Sequence, residues 1–128
     1  MKNLFIIRIE KDKDFLTEQE LSYCFNDENL DWEVKSILIY LLSRPANWHL
    51  DIDGMSTLSK KGKQVVPKCM KKLIDNDYLF KIQKREGKKL KSWGYIVSPK
   101  KTRYWKVIDF LYEHCNGWTL IYPKNKGE

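Results

Sequence analysis

The chain has 128 residues, of which 42% are hydrophobic and 13% aromatic, so it can build one domain with a buried core and is not a disordered chain. Its formal net charge is +7, but residues 54–103 alone carry fifteen basic and three acidic side chains, against six and eleven in residues 1–53. Positive charge concentrated in one part of a chain is expected where one face meets a polyanion.

Cysteine use and hydropathy indicate a cytoplasmic protein. Cys24, Cys69 and Cys115 are odd in number, far apart and set in apolar segments, which favours reduced, buried thiols over a disulfide framework. The N-terminal apolar run is short and has no small-residue cleavage site, so no signal peptide is predicted. No stretch approaches the roughly 20 apolar residues that a membrane span needs, and we expect no membrane partner.

Two elements are predicted in the acidic N-terminal part. Residues 4–9 (LFIIRI) are rich in β-branched side chains and predict a strand. Residues 17–20 (TEQE) have the capping-box pattern, so a short helix should follow and run to about Phe25. This helix should bury Leu21 together with Cys24 or Phe25.

A long central helix is predicted next. Asp31 is a suitable N-cap for residues 32–44, and Pro45 should end the helix because proline disfavours helical geometry in the residue before it. Apolar side chains lie on more than one side, which is typical of a core helix. A short extended segment anchored by Trp48 follows, and Asp51 can cap a short helix after it.

Residues 59–79 (SKKGKQVVPKCMKKLIDNDYL) predict a turn followed by a helix with one apolar and one basic side. Asn76 and Asp77 can supply the left-handed residue that ends this helix. Pro67 lacks an amide donor and is tolerated without loss only in a first turn, so the helix either begins near residues 63–64 or bends at its entry. The apolar stripe consists of Val66, Cys69, Met70 and Leu73.

The remaining chain predicts a hairpin, a helix and a strand. Residues 78–83 and 93–97 are β-rich and flank a basic linker with a central glycine, which is typical of a hairpin with a charged tip. Residues 102–115 have apolar side chains at helical spacing, Asn116-Gly117 ends that helix, and residues 118–122 are strand-like.

The C-terminal helix needs a partner surface. Its apolar positions Val107, Ile108 and Leu111 must be covered, since an isolated helix of about fourteen residues is marginal in water. That surface is either the strand and helix of the acidic N-terminal half or the same helix of a second protomer. Aromatic side chains spread round more than one face and keep the second arrangement open.

A long helix, a short helix, a turn, a basic helix and a hairpin follow one another in the order of a winged helix-turn-helix. We therefore predict an α+β fold, mainly helical with a small antiparallel β-hairpin wing. In this single domain, residues 1–29 form an N-terminal strand and short helix, residues 30–99 form the core, and residues 100–128 form a C-terminal helix and strand packing on it. The predicted DNA-binding residues are Lys60, Lys61, Lys63, Gln64, Lys68, Lys71, Lys72, Arg85, Lys88, Lys89 and Lys91.

Residues 30–97 resemble the winged helix-turn-helix domains of Gram-positive phage and plasmid proteins, such as replication initiators of the DnaD-like kind and conjugative-transfer accessory proteins. The matching stretches are LDWEVKSILIYLLSRPANW, MSTLSKKGKQVV, MKKLIDNDYL and WGYIV, a little over half the chain. The family usually has Gly where Asp77 stands and lacks proline at the position of Pro67. The resemblance implies binding to double-stranded DNA, with the third helix in the major groove and the wing on the backbone or minor groove.

The predicted function is that of a sequence-specific double-stranded DNA-binding protein of a plasmid or phage, accessory to DNA transfer or replication, or a regulator. Other replication or transfer proteins are further expected partners. The alternative is a protein-binding winged helix adaptor that dimerises or binds a partner through its aromatic C-terminal helix. RNA binding is disfavoured, because nothing resembles an exposed aromatic platform on a four-stranded sheet.

No catalytic residue, metal site or cofactor is predicted. His49 and His114 are the only histidines, no Cys-x-x-Cys pair suggests zinc, and no glycine-rich phosphate loop follows a strand. We therefore do not expect an enzyme. A monomer is favoured in solution, with a homodimer as the alternative.

Overall fold

A computed structural model of the chain describes residues 4–8, 18–44, 48–49, 52–57, 64–115 and 117–122. The described residues form five helices and five strands, which confirms the predicted α+β class. In chain order the elements are β1 (Leu4–Arg8), α1 (Glu18–Phe25), α2 (Trp32–Leu42), β2 (Trp48–His49), α3 (Ile52–Thr57), α4 (Val65–Asp75), β3 (Leu79–Glu86), β4 (Lys89–Val97), α5 (Tyr104–His114) and β5 (Trp118–Tyr122).

The strands form one mixed sheet in the order β2-β1-β4-β3-β5. Strand β3 pairs antiparallel with both β4 and β5, whereas β1 runs parallel to β4 and antiparallel to β2. The predicted hairpin is present, but it is the centre of a five-stranded sheet rather than a small separate wing. The difference arises because the N-terminal and C-terminal strands add to the two sides of the hairpin.

Both faces of the β3–β4 hairpin are covered. One face carries Leu79 and Val97, which are buried in a core cluster with α1, α2, α3 and α4. The other face carries Phe80, Ile82 and Ile96, which are buried with α5 and β5. Because successive side chains of a strand point to opposite faces, the apolar runs in β3 and β4 serve two separate cores.

Helix α4 begins where its proline does no harm. Its N-cap is Gln64 and its first residue is Val65, so Pro67 is the third residue, at which the backbone amide has no intrahelical acceptor. The helix therefore begins close to the predicted residues 63–64. The whole predicted apolar stripe is buried, namely Val66, Cys69, Met70 and Leu73.

Asp77 is the left-handed residue that ends α4, with φ 68°. The amides of Asp77 and Tyr78 donate to the carbonyls of Ile74 and Leu73 at 3.2 and 3.0 Å, which are the two hydrogen bonds of a Schellman motif. Leu73 and Tyr78 are buried in the same cluster, as the apolar contact of this motif requires. The chain thus turns from α4 directly into β3.

Helix α5 packs on the sheet, which is neither of the two surfaces predicted for it. Val107 and Leu111 are buried against the hairpin face that carries Phe80 and Ile82. Ile108, which was expected to need a partner surface, remains 46% exposed. The prediction failed because the apolar runs of the hairpin are continuous. The sequence therefore does not show that every second side chain points to the other face, where α5 packs.

Among the helices that the structure describes, none is long and apolar enough to cross a membrane.

Several predicted features lie outside the described residues or differ in detail. Asp31 does precede α2 as its N-cap residue, but its side chain makes no cap hydrogen bond. The predictions outside the described residues concern Thr17, Pro45, Asp51, the turn at 59–62 and Asn116.

Candidate nucleic-acid interface

Helix α4 presents a polar and cationic outer face. Gln64, Lys68, Lys71 and Lys72 are exposed, as their spacing against the buried stripe predicts. No acidic residue lies in the first turn of α4, so the positive end of the helix dipole and the lysines attract an anion in the same sense.

Two lysines of this face occupy different flanks of α4. Lys72 Nζ lies 3.3 Å from Asp31 Oδ2 at the start of α2, and Lys71 Nζ lies 3.7 Å from Asp75 Oδ2 one turn further along the helix. Both pairs are exposed, and pairs of this kind contribute only about 0–1 kcal/mol, so a phosphate can compete with either carboxylate. Each flank of α4 thus carries one carboxylate beside its lysine, Asp31 on the α2 side and Asp75 on the other.

A groove runs between the other flank of α4 and the hairpin. Lys81 Nζ lies 4.4 Å from the centre of the Trp93 ring, so the ammonium group is held over an aromatic face at the sheet side of the groove. Lys71 adds a second cation from the helix side. The lining of the groove includes Pro67, Lys71, Asp75, Lys81 and Tyr95, so one carboxylate lies beside its two lysines.

Lys81 was missed by the sequence analysis, which assigned basic residues only to the helix and the hairpin tip. Strand alternation is the signal that finds it. Leu79 is buried toward α4, so Lys81, Gln83 and Arg85 follow on the same face of β3 at steps of two. These side chains extend the cationic surface from α4 along the hairpin.

The hairpin strands extend closer to the tip than predicted. Strand β3 reaches Glu86 and β4 begins at Lys89, so most of the supposed basic linker is paired strand. In the two-residue turn, Gly87 has φ 64°, the positive value that both hairpin turn classes need at their first central position. A bulge leaves Lys91 without a partner in the β3–β4 register.

The hairpin tip carries most of the remaining predicted cations. Arg85, Lys88 and Lys89 are all exposed. Arg85 Nη1 donates to the carbonyl oxygen of Lys88 at 3.1 Å, which holds the guanidinium group along the turn. Since a paired hairpin supports these groups, the tip is an ordered cationic edge and not a loose basic loop.

The buried carboxylate of Asp27 contacts the chain where it leaves α4. Asp27 accepts hydrogen bonds from the Tyr78 hydroxyl at 2.6 Å and from the Asn29 amide at 2.9 Å, and Lys101 Nζ lies 3.9 Å away. Burial alone would raise the pKa of Asp27, but these hydrogen bonds and the Lys101 charge lower it. Burial and the bond to Asp27 both raise the pKa of Tyr78.

The described part of the chain therefore brings seven of the predicted side chains, together with Lys81, to α4 and the hairpin. Lys60, Lys61 and Lys63 lie outside the described residues, as does the side chain of Lys91. The predicted members that the structure describes are Gln64, Lys68, Lys71, Lys72, Arg85, Lys88 and Lys89, to which Lys81 is added.

Comparison of the chain with known protein families, with curated proteins and with solved structures finds no match. Within the described residues, no group of three or more His, Cys, Asp or Glu side chains is placed to hold a metal ion. The interpretation of this surface therefore depends on its geometry and charge.

Proposed function

We propose that the chain is a sequence-specific double-stranded DNA-binding protein with a winged helix-turn-helix as its binding unit. The observation that carries the proposal is that cations lie on the outer face of α4, on both walls of the adjoining groove as Lys71 and Lys81, and at the hairpin tip. The element order α2-β2-α3-α4-β3-β4 is compatible with this unit. A helix of this kind enters a major groove while the adjoining hairpin contacts the backbone.

The two halves of the surface have different roles. Gln64 and Lys68 lie on the outer face of α4, where a glutamine can pair with adenine and a lysine with guanine. Arg85, Lys88 and Lys89 contact phosphates, which position the protein without selecting a sequence. Specificity therefore depends on α4, and the salt dependence of binding depends mainly on the hairpin.

The biological setting follows from the resemblance of residues 30–97 to domains of Gram-positive phage and plasmid proteins. We place the chain with accessory proteins of DNA transfer or replication, or with regulators, of such an element. Footprinting on the DNA that encodes the chain distinguishes these roles. Protection at an origin of transfer, at a replication origin or at a promoter would each identify one of them.

The direct test of the α4 assignment is Gln64→Ala. We expect this variant to bind random duplex as well as the parent does, and to lose discrimination between the footprinted site and single-base variants of it. Lys100→Ala is the control, because Lys100 is exposed but lies beyond the end of β4 that is remote from the tip. An equal loss of affinity for all duplexes would show that Gln64 does not read bases.

A protein-binding adaptor is the second candidate, and exposed aromatic side chains on α5 favour it. Trp105 and Tyr112 are 49% and 87% exposed. This alternative requires that the purified chain has no salt-sensitive affinity for any duplex at physiological salt. Titration of a labelled duplex at several salt concentrations therefore separates the two candidates.

A further inference from the structure

Burial on the α4 side of strand β3 decreases toward the hairpin tip. Leu79 is buried, Lys81 and Gln83 are partly exposed, and Arg85 is exposed. Because these residues alternate with side chains that face α5, they form one row on the same face of the sheet. Helix α4 therefore covers the end of this face that is remote from the tip, and the end near the tip is open to a ligand.

An aromatic ring lies at the centre of this open end. Trp93 of β4 pairs with Gln83, so the two side chains share a face, and Trp93 is partly exposed beneath the ammonium group of Lys81. Thr119 of β5 pairs with Gln83 from the other side and is exposed. Three adjacent strands thus build one surface, which we call the sheet platform and which consists of Lys81, Gln83, Arg85, Trp93 and Thr119.

The groove between α4 and the hairpin continues the sheet platform toward the helix, because Lys81 belongs to both. The groove has a volume of about 470 Å³, and Met70 and Ile74 add to its apolar lining. Lys71 provides a second cation, while Asp75 in the same lining lies 3.7 Å from Lys71 Nζ. The groove and the platform together therefore combine apolar and aromatic surface with an excess of positive charge.

This combination suits an unpaired strand better than a duplex. A duplex offers phosphates to the cations, but its bases are stacked on one another and cannot reach a ring on a sheet face. The bases of a single strand stack on aromatic side chains while its phosphates contact lysine and arginine. Lys81 and Arg85 are about 13 Å apart along β3, with Trp93 opposite the residue between them, so they can contact the phosphates on either side of a stacked base.

We propose that the sheet platform and the adjoining groove bind a single-stranded nucleic acid, with one base stacked on Trp93 and the flanking phosphates on Lys81 and Arg85. In the unbound chain the Lys81 ammonium group lies 4.4 Å from the centre of the ring. A base takes its place and the ammonium group moves to a phosphate, since stacking of a base is stronger than an exposed cation–π contact.

The sheet platform also changes the standing of RNA as a ligand. The sequence analysis disfavoured RNA because it found no exposed aromatic platform on a sheet, and such a platform forms here when β5 joins the hairpin. The inference does not depend on the proposed function, because Gln64 and Lys68 on the outer face of α4 take no part in it.

The test is fluorescence anisotropy of a labelled oligothymidylate of about twelve nucleotides, titrated with the full chain. Trp93→Leu keeps an apolar side chain but should raise the dissociation constant about tenfold, whereas Trp93→Phe should keep most of the affinity. Trp105→Leu is the matched control, because Trp105 also has an ammonium group over its ring, that of Lys106 at 5.6 Å, but lies on α5. A parent that does not bind the strand would overturn the proposal, as would equal losses for Trp93→Leu and Trp105→Leu.

The charge contribution is measured with Lys81→Ala. This variant should lower the slope of log affinity against log salt by about 0.7, the value for one phosphate contact on a single strand. An unchanged slope would overturn the assigned contact. An oligoglutamate peptide of similar length should not compete with the strand, and effective competition would assign the surface to an acidic peptide and overturn the proposal.

Photocrosslinking locates the stacked base without any variant, so it holds even if Trp93→Leu fails to fold. With 5-iodouracil in place of thymine, irradiation should attach the strand to the peptide that contains Trp93, identified by mass spectrometry. Attachment confined to other peptides would overturn the proposal. Oligouridylate of the same length distinguishes RNA from DNA as the source of the strand. A parent that binds oligothymidylate but no duplex would overturn the proposed function alone, and the reverse result would overturn this inference alone.

Discussion

Helices α4 and α5 have equal lengths and each buries an apolar stripe on one face of the same hairpin, yet their exposed sides have opposite chemistry. The outer side of α4 carries Gln64, Lys68 and Lys71, whereas that of α5 carries Trp105, Ile108 and Tyr112. The buried stripes determine how the two helices pack on the hairpin, and both stripes are apolar. The exposed sides determine the partner, which we propose is DNA for α4.

The largest expected effect concerns whether the core clusters on the two faces of the hairpin fold as one unit. A chain ending at Pro99 lacks α5 and β5 and leaves Phe80, Ile82 and Ile96 uncovered. We expect this truncation to lose cooperative thermal melting, measured by circular dichroism, because three large apolar side chains become exposed to water. Deletion of residues 123–128 is the control and should keep the parent's transition. A truncated chain that melts like the parent would show that α5 is an appendage.

The next effect concerns the buried carboxylate behind α4, which has no counterpart among the apolar contacts of α5. The Tyr78 hydroxyl and the Asn29 backbone amide donate to different oxygens of Asp27, and asparagine keeps only one of these acceptors. Asp27→Asn should therefore cost about 1–3 kcal/mol in the free energy of unfolding. Because folding lowers the pKa of Asp27, its contribution is present above the ordinary carboxyl pKa of about 4 and is lost as the pH falls through the folded value.

Urea titrations at several pH values measure this contribution. The parent should lose stability below about pH 4 more steeply than Asp27→Asn does. Tyr78 gives a pH dependence of the opposite sign, because folding raises its pKa. Its contribution to stability is present below the ordinary tyrosine pKa of about 10 and declines as the pH rises above that value. Tyr78→Phe should remove that alkaline decline. Identical acid limbs for the parent and Asp27→Asn would contradict the assignment.

A third prediction concerns the phosphate contacts of the hairpin. Replacing Lys88, Lys89 and Lys91 with Ala should weaken binding to all duplexes and reduce the slope of log affinity against log salt by roughly one to three. Filter binding or fluorescence anisotropy at four salt concentrations gives this slope. Lys106→Ala, on α5, should leave the slope on a single-site duplex unchanged. A slope that falls for Lys106→Ala alone would reverse the roles of the two helices.

The local elements were predictable because their signals are local. The stripe of α4, the left-handed Asp77 and the strand at 118–122 each follow from a few neighbouring residues. The sheet order was not, since the insertion of β1 between β2 and β4 depends on pairing between distant segments that share no side-chain pattern. Charged residues near the tip concealed paired strand in the same way, because Lys84 and Glu86 look like loop residues.

The candidate nucleic-acid interface also has a part that local sequence predicts and a part that it does not. Exposure of Gln64 and Lys68 follows from helical spacing, whereas the place of Lys81 over Trp93 requires knowledge of which strand face meets α4. The exposure of Ile108 on α5 escaped prediction for a related reason. Val107, Ile108 and Leu111 all suggested burial, and only the position of the sheet shows that Val107 and Leu111 are covered while Ile108 is not.

The smallest effect compares how the two helices end. Helix α4 turns at Asp77 with φ 68°, whereas the chain after α5 turns at Gly117 with φ 91°. A left-handed conformation costs an L-residue about 1–2 kcal/mol and costs aspartate less, while glycine adopts it freely but loses more entropy on folding. Asp77→Gly should therefore stabilise the chain only slightly, by about 0.5 kcal/mol.

Asp77→Ala is the matched variant, because it removes the same carboxylate but keeps the Cβ atom. It should destabilise the chain by about 1 kcal/mol, since alanine lacks the local hydrogen bonding that helps aspartate tolerate this conformation. Urea unfolding of the parent and both variants measures the difference. If alanine were as stable as glycine, backbone strain at Asp77 would contribute nothing, and the Schellman hydrogen bonds to Leu73 and Ile74 would be sufficient to end α4 with any residue at this position.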